Sequence, residues 1–294
     1  MNYNEILRAS AEKTGNIVCM GLDPVLEVLP FPELPSTERI LTYMRMLFTE
    51  MKAKNLIPAA FKPNIGYYAI LDNPRKGDFS GSMALSGVLD LLEEFFPGIP
   101  VILDSKRGDI AKSSLNYAKE AFEGWQTTSV TVSPYMGTDS VSPFVFEGKG
   151  MYILNRTSNP GGKDIQHQTI LDMVDEHTNY PVYLLVAHKI VEWAAGRPGF
   201  GAVVGATNMV ELEDIASYYH DKEIAMLIPG VGSQGGSAPD VIAALDRAGY
   251  PRELARINSS SGLTHPWKKG DAPENWLERC ITSIDKLIKE APSK

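Results

Sequence analysis

The sequence predicts a (β/α)₈ barrel, formed by one α/β domain that spans residues 1–294, and three observations support this prediction. Eight short apolar runs, bounded by Gly, Pro, Asn or Asp, recur along the chain. Polar and apolar residues do not alternate within them, which indicates strands covered on both faces, as in a parallel sheet. Segments of helical period separate the runs, and an amphipathic segment follows the eighth, as a barrel requires. The 294 residues favour two domains only weakly, because α/β barrels often contain about 200 to 250 residues.

Each predicted strand is a run rich in β-branched or other apolar residues. The strands are residues 16–21, 57–62, 99–104, 129–133, 150–155, 201–206, 223–229 and 255–260. Residues 181–195 also begin like a strand, but the later spacing of Leu185, Ile190 and Ala194 predicts a long helix. A strand there would give nine strands, and an open doubly wound sheet is the alternative architecture.

Helices are predicted where apolar residues recur at helical spacing. These segments are Ile40 to Met51, Leu115 to Trp125, Met209 to Ala216, Val241 to Leu245 with Pro239 in its first turn, and Trp276 to Ile288. Residues 26–38 and 159–168 read as extended loops, and the second loop is a candidate lid over the site.

Composition excludes several classes of protein. The net charge of −8 argues against a general surface for nucleic acid or anionic membranes, although it permits a local anion pocket. The segment that begins at Met1 lacks the apolar core of a signal peptide, and no run approaches 18 apolar residues, so we expect a cytoplasmic protein. Cys19 and Cys280 are expected to be buried thiols, and no zinc-binding motif is present.

Charged residues end the first three predicted strands. Asp23 follows the first, Lys62 ends the second, and Asp104 and Lys106 end the third, with Asp109 just beyond. Because active sites of such barrels lie at the carboxyl ends of the strands, these groups should meet. Asp104 and Lys106 are two residues apart, so an extended chain projects both to one side. An alternating array of carboxylates and ammonium groups would keep each member ionised, whereas the plainer interpretation is a solvated turn before a helix.

The loop PGVGSQGG, residues 229–236, has four glycines between a predicted buried strand and a helix. Backbone amides of such a loop can approach an anion closely, and this part of a barrel often holds phosphate. The polar run NSSSG, residues 258–262, follows the eighth strand and favours phosphate over an ordinary turn. The five histidines (His167, His177, His188, His220 and His265) are scattered, so none is assigned to catalysis.

The order of these motifs resembles the orotidine 5′-phosphate decarboxylase family, in its longer bacterial branch. The matching segments are GLDP, FKPN, LDSKRGD, TVSPYMGTDSV, TSNPGG, VVGAT, PGVGSQGG and NSSSG, and they span nearly the whole chain. The D-x-K-x-x-D core alone is less specific, because it looks equally like phosphosugar decarboxylases and synthases on the same barrel. The resemblance implies decarboxylation of orotidine 5′-phosphate to uridine 5′-phosphate in pyrimidine biosynthesis, with no cofactor or metal.

The same resemblance implies roles for individual residues. Lys62, Asp104, Lys106 and Asp109 would form the family's Lys-Asp-Lys-Asp array, in which Lys106 donates the proton and Asp109 completes the partner's site in a homodimer. The implied substrate-binding residues are Asp23 and Lys62 on the ribose, Ser158 on the pyrimidine, Ile110 and Ser113 across the dimer interface, and Gln234, Gly235, Ser260 and Ser261 around the phosphate. Neither nucleic acid nor membrane is an expected partner.

One position departs from the family pattern. An Arg usually follows the eighth strand, in a pattern like NSSRG, and this chain has Ser261 there. Lys163, Arg156 or Arg197 are the candidates to supply the missing cation. Two other interpretations stay open. A metal-assisted phosphosugar decarboxylase or aldolase would also explain D-x-K-x-x-D, and Ser261 suggests a phosphate-ligand binder without turnover.

Overall fold

The computed structural model describes residues 1–171, 179–232 and 235–294, and within these residues eight strands form one parallel sheet. A separate antiparallel pair is made by β6 and β7. In chain order the strands are β1 (Val18–Gly21), β2 (Ala60–Lys62), β3 (Ile102–Arg107), β4 (Ser129–Val132), β5 (Gly150–Arg156), β6 (Thr169–Leu171), β7 (Asn179–Pro181), β8 (Phe200–Val204), β9 (Ala225–Pro229) and β10 (Ala255–Ser259).

The sheet closes on itself as a barrel. Its neighbours run in the order β2, β1, β10, β9, β8, β5, β4 and β3. The two end strands, β3 and β2, are joined by isolated parallel bridges, from Phe61 to Val101 and from Asn64 to Asp104. Two backbone hydrogen bonds cross this seam, Phe61 N to Pro100 O at 3.0 Å and Asp104 N to Pro63 O at 2.9 Å. All eight strand carboxyl ends therefore surround one mouth.

Helices lie between the strands and bury their apolar stripes against the sheet. They are α1 (Tyr3–Thr14), α2 (Ser36–Ala53), α3 (Ile65–Ala69), α4 (Ser80–Phe95), α5 (Lys112–Lys119), α6 (Thr138–Val141), α7 (Val182–Ala194), α8 (Met209–Tyr219), α9 (Ala238–Arg247), α10 (Ser261–Thr264) and α11 (Trp276–Glu290). A π-helical turn, Glu120–Gly124, continues α5. No helix in the described ranges is both long and apolar enough to span a bilayer.

The barrel prediction and all eight predicted strands are confirmed, with starts displaced by up to three residues. The largest change at a carboxyl end is in β3, which continues to Arg107 and so carries Lys106 within the strand. Residues 181–195 form α7, as predicted, so the open doubly wound sheet is excluded. The five predicted helical segments appear as α2, α5 with its π-turn, α8, α9 and α11.

The loop predictions are only partly correct. Residues 26–38 include a 3₁₀ turn, Leu26–Val28, and the start of α2 at Ser36, so this segment is not wholly extended. Residues 159–168 include a second 3₁₀ turn, Pro160–Asp164. The turn is closed by Gln166, whose side-chain amide donates to Thr157 Oγ1 at 2.7 Å and whose Oε1 accepts from Thr157 N at 3.0 Å.

The polar residues of α1 anchor it at the amino-terminal end of the barrel. The Tyr3 hydroxyl lies 2.9 Å from Ser129 Oγ and 3.0 Å from the Tyr152 hydroxyl, inside the strands. Arg256 of β10 is fully buried and donates to Leu7 O at 2.7 Å. These contacts cover the end of the barrel opposite the mouth, so solvent reaches the strand carboxyl ends from one side.

Candidate active site

A charged cluster lies where β2 and β3 meet at the mouth. Lys62 Nζ is 2.7 Å from Asp104 Oδ2, and Lys106 Nζ is 2.6 Å from Asp104 Oδ1. Lys62 and Asp104 are only 4% and 7% exposed, whereas the Lys106 side chain is about half exposed. The predicted pairing of these three residues is therefore confirmed, and Lys106 is the member that a bound molecule can reach.

The environment keeps the buried members of this cluster ionised. Burial alone would raise the pKa of Asp104, but the ammonium groups of Lys62 and Lys106 outweigh it and hold that pKa well below its usual range. Burial alone would lower the pKa of Lys62, but the carboxylates of Asp104 and Asp23 raise it above its usual value. At neutral pH the site thus presents a fixed carboxylate between two ammonium groups.

An irregularity in the pairing of β3 sets the direction of the Lys106 side chain. The pairing of β3 with β4 shifts between Leu103 and Arg107, where two extra residues enter β3. Lys106 adopts φ +47°, in the left-handed region that non-glycine residues rarely occupy. The expectation that both side chains project from an extended chain is therefore wrong in detail, because a bulge, and not strand alternation, sets the direction of Lys106. Such strain, of order 1–3 kcal/mol, persists only where neighbours enforce it.

Thr131 of β4 makes the contacts that hold Lys106 in this strained conformation. Its buried hydroxyl accepts from the backbone N of Ser105 at 3.0 Å and of Lys106 at 2.9 Å. The same hydroxyl donates to Asp104 Oδ1 at 2.9 Å. One side chain therefore satisfies the backbone amides that the bulge removes from the sheet and fixes the carboxylate between the two lysines.

Replacing Thr131 with valine should destabilise the protein by about 1–3 kcal/mol, because two partly buried backbone amides lose their acceptor and Asp104 loses a donor. We also expect a lower turnover number, since Lys106 and Asp104 lose a common support. Urea unfolding and steady-state kinetics measure the two effects. Thr131→Ser keeps the hydroxyl and should stay close to the parent in kcat, and equal kcat for the valine variant would show that Thr131 does not position the cluster.

The predicted site residues that follow β3 make no ion pair or hydrogen bond with this cluster among the described residues. Asp109 Oδ1 accepts from Ile110 N at 2.7 Å, and within the described ranges its carboxylate is in no ion pair. Ile110 is 60% exposed and Ser113 is also exposed. The structure therefore does not place Asp109, Ile110 or Ser113 with Lys62, Asp104 and Lys106 of the same chain.

A polar cavity of about 180 Å³ opens beside the cluster, at the carboxyl ends of β1, β9 and β10. Its wall is formed by Asp23, Val25, Tyr67, Pro229, Gly230, Val231, Asn258, Ser259, Ser260, Ser261 and His265. The structure thus brings together the predicted residues Asp23, Ser260 and Ser261. Their approach requires glycine at position 21, because a Cβ there would lie 1.8 Å from Ser260 Oγ.

The glycine-rich loop after β9 borders the same cavity. Gly230, Gly232 and Gly235 have φ of +100°, +90° and +95°, which explains the glycines of this loop. Gln234 lies outside the described residues, as does His177, and Gly235 is exposed at the loop surface. Ser158, at the end of β5, packs against Gly205 and is half-buried.

None of the three cations considered as substitutes near Ser261 lines the described part of this cavity. Arg156 is buried in an ion pair with Glu211 of α8, so its charge is already neutralised. Arg197 donates to Trp193 O and Ala194 O at the end of α7, before β8 begins. Lys163 is exposed in the 3₁₀ turn of the second loop.

Sequence reasoning missed Thr131 and His265, and it included Asn258 only as the first residue of the polar run NSSSG. Thr131 and Asn258 are polar residues within otherwise apolar runs, and that exception was the available signal. His265 had no comparable signal, because its place in the cavity depends on the turn of α10.

A closed (β/α)₈ barrel with a Lys-Asp-Lys cluster and a polar cavity at its mouth defines the class of barrel enzymes that act on small charged molecules. Comparison with known proteins narrows the class. A model of the orotidine 5′-phosphate decarboxylase / HUMPS family matches residues 65–249.

Individual relatives and solved structures agree. The chain is 38% identical over 290 residues to a Ralstonia pickettii protein named orotidine 5′-phosphate decarboxylase, covering 98% of each chain. It is 37% identical over 274 residues to the protein of that name from Ralstonia nicotianae, covering 92% of each. The Leishmania donovani OMP decarboxylase structure superposes with a TM-score of 0.73 at 27% identity over 99% of each chain. The chain belongs to the orotidine 5′-phosphate decarboxylase / HUMPS family.

Proposed function

We propose that this protein decarboxylates orotidine 5′-phosphate to uridine 5′-phosphate and CO₂ in pyrimidine biosynthesis, as a carboxy-lyase. The observation that carries the proposal is the cluster of Lys62, Asp104 and Lys106 at the mouth of a barrel whose full-length relatives bear that name. Family membership supports the activity, and the cluster supports the assignment of roles to individual residues.

The proposed chemistry follows from the charges. When the bond from C6 of the pyrimidine to the carboxylate breaks, its electron pair stays on C6 and CO₂ leaves. The site must stabilise negative charge that the substrate lacks. The half-exposed ammonium of Lys106 stabilises this charge and then donates its proton to C6, leaving a neutral amine that regains a proton from solvent. The fixed carboxylate of Asp104 repels the substrate carboxylate and so disfavours the ground state.

The proposed placement of the nucleotide uses the cavity beside the cluster. Asp23 and Lys62 bind ribose hydroxyls, and Ser158 meets the pyrimidine ring. The phosphate lies against Ser260, Ser261 and the amides of the glycine-rich loop at Gly235, with Gln234 as a further ligand. The common wall formed by Asp23, Ser260 and Ser261 supports a ligand that spans from the cluster to this loop. Closing of residues 159–168 over the nucleotide is part of the proposal.

A homodimer is also proposed, with Asp109, Ile110 and Ser113 reaching the partner's site. Support comes from exposed apolar side chains that surround these residues, including Ile110, Leu115, Tyr135 and Met136. The two segments are adjacent, since Ala111 N donates to Asp139 O at 3.1 Å. Exposed apolar patches of this kind mark protein interfaces. A single catalytic domain over residues 1–294 and a cytoplasmic location belong to the same proposal, and the latter agrees with the two free, buried cysteines.

The direct test mixes the protein with orotidine 5′-phosphate and follows the pyrimidine absorbance, with and without EDTA. We expect turnover that EDTA does not change, because the proposed mechanism uses no metal. Turnover lost to EDTA and restored by Mg²⁺ would support a metal-assisted enzyme, and tight nucleotide binding without absorbance change would support a binding protein.

Replacing Ser261 with arginine should strengthen binding of uridine 5′-phosphate by about 10- to 100-fold, since a charge-assisted hydrogen bond contributes roughly 1.5–3 kcal/mol. Ser261 lines the cavity, so the new guanidinium can reach its interior. Calorimetric titration measures the gain, and uridine, which lacks phosphate, should show none. Equal affinities of parent and variant would mean that another cation already binds the phosphate.

A further inference from the structure

His265 is the one side chain in the described wall of the cavity that can become a cation. It is only 6% exposed and directly follows α10, the turn that also begins with Ser261. The other polar wall groups are hydroxyls, the Asn258 amide, the phenol of Tyr67 and the carboxylate of Asp23. Among the described wall residues, an anion would therefore meet no fixed positive charge.

The hydrogen bonds of the imidazole identify which nitrogen faces a ligand. His265 Nδ1 lies 3.0 Å from Thr264 Oγ1, and that hydroxyl donates its only hydrogen to Ser260 O at 3.1 Å. Nδ1 therefore carries a hydrogen and donates it to Thr264. Nε2 then has a free lone pair in the neutral ring and has no partner in the part of the chain described.

A second residue of the cavity wall, Asn258, also has an unpartnered polar atom. Asn258 is 6% exposed, and its Oδ1 is buried without a hydrogen-bond partner among the described residues. Buried polar atoms in native structures are nearly always paired, with protein or with something bound. Asn258 and His265 line the same cavity, so its wall has two polar side chains with hydrogen-bonding capacity that the described residues do not use.

The empty cavity favours the neutral imidazole. Burial lowers the pKa of His265 below its usual value, and the carboxylate of Asp23 opposes this only in part. Tyr67 of α3 and Asp23 after β1 are the other titratable groups in the described wall. The indole of Trp267 makes an edge-on contact with the imidazole, at 6.4 Å between ring centroids. No positive side chain among these neighbours opposes protonation, so an arriving anion is free to raise the pKa.

We propose that His265 neutralises the phosphate of the bound nucleotide by taking up one proton from solvent at Nε2 and donating it in a charge-assisted hydrogen bond. This inference rests on the proposed function, because it assumes that a nucleotide phosphate enters this cavity. A dianionic phosphate held only by hydroxyls and amides would keep its charge poorly compensated, and protonation of His265 removes that deficit. Ser261 and His265 lie four residues apart, at the start of α10 and directly after its end. Together they would replace a single fixed cation at the phosphate.

The test is calorimetric titration with uridine 5′-phosphate at pH 7.5, in two buffers of different ionisation enthalpy. We expect the parent protein to take up more protons on binding than His265→Gln, by up to one per site. The glutamine variant should bind uridine 5′-phosphate about 10- to 100-fold more weakly and uridine equally well. His220→Gln is the matched control, because His220 is exposed at the end of α8 and should behave like the parent.

The pH dependence has a definite sign. Burial holds the pKa of His265 below its usual value in the empty protein, and the proposed phosphate contact would raise it, so affinity should fall as pH rises through and above neutrality. His265→Gln should be nearly flat over that range. In the His265→Gln background, Ser261→Arg should restore affinity by a larger factor than it adds to the parent, because the two cations serve the same phosphate.

The outcomes separate the inference from the proposed function. Parent protein that decarboxylates orotidine 5′-phosphate, but takes up no proton on binding uridine 5′-phosphate, overturns the role of His265 and leaves the function intact. That measurement needs no variant, so a His265→Gln protein that fails to fold does not remove the test. Parent protein that neither binds uridine 5′-phosphate nor decarboxylates its precursor overturns both.

Discussion

Lys106→Ala should lose at least about 10³-fold in kcat for orotidine 5′-phosphate, because the variant lacks both the proton donor and the charge facing C6. Binding of uridine 5′-phosphate should change far less, since Lys106 acts mainly on charge that exists only in the transition state. Absorbance kinetics and calorimetric titration measure the two quantities. Lys119→Ala is the matched control, because that exposed lysine lies at the end of α5, away from the cluster.

A Lys106→Ala variant within tenfold of the parent would contradict the assignment of Lys106. Loss of binding together with loss of turnover would instead show that Lys106 holds the ground state. The variant should fold, since Lys106 is half-exposed and its removal leaves Asp104 paired with Lys62.

Mixed dimers should recover activity that neither parent homodimer has. Asp109→Ala and Lys106→Ala homodimers are each expected to be nearly inactive, because every site lacks one essential group. In a mixed dimer one site has Lys106 from its own subunit and Asp109 from the partner. After free subunit exchange at equal concentrations, about a quarter of all sites should be intact.

The same experiment contains its own control. Asp104 and Lys106 are 2.6 Å apart in one chain, so mixing Asp104→Ala with Lys106→Ala should restore nothing. Native mass spectrometry verifies the exchange in both mixtures. No recovery in the Asp109 mixture, despite verified exchange, would assign Asp109 to its own subunit's site or to a structural role.

The strands were predictable because a parallel barrel strand is covered on both faces and reads as an uninterrupted apolar run. The sequence analysis does not predict the long helices α1 and α4, nor the short helices α3, α6 and α10. In α4, Gly81 and Gly87 lower intrinsic helix propensity, yet a Cβ at Gly81 would lie 1.8 Å from Tyr68 O and one at Gly87 2.7 Å from the side chain of Leu41. In α1, Tyr3, Leu7 and Ala11 are buried four residues apart within an otherwise polar segment. Tertiary packing explains the two glycines of α4, whereas α1 combines its buried stripe with local signals, a capping box of Asn2 and Glu5 and a left-handed Gly15 at its end.

The charged cluster was predictable for a topological reason. Parallel strands deliver their carboxyl ends to one mouth, so Lys62, Asp104 and Lys106 had to meet there. The bulge in β3 was not predictable, because it depends on a hydroxyl from the next strand, Thr131. The place of His265 in the site was not predictable either, because the histidines are scattered along the sequence and only the path of the chain after β10 brings His265 to the cavity.

The seam that closes the barrel joins the stability of the site to its chemistry. Lys62 and Asp104 lie on the two sides of this seam, so their buried ion pair also holds β2 and β3 together. Any local opening between β2 and β3 separates the buried ammonium of Lys62 from Asp104, which keeps only Lys106 as its partner, and this cost favours rapid closure. Separation of β2 from β3 alone would therefore disrupt the arrangement of the active site, well before the whole barrel unfolds. The rate of hydrogen exchange at the backbone amides of Phe61 and Asp104, which donate across the seam, therefore measures how long the catalytic site stays assembled.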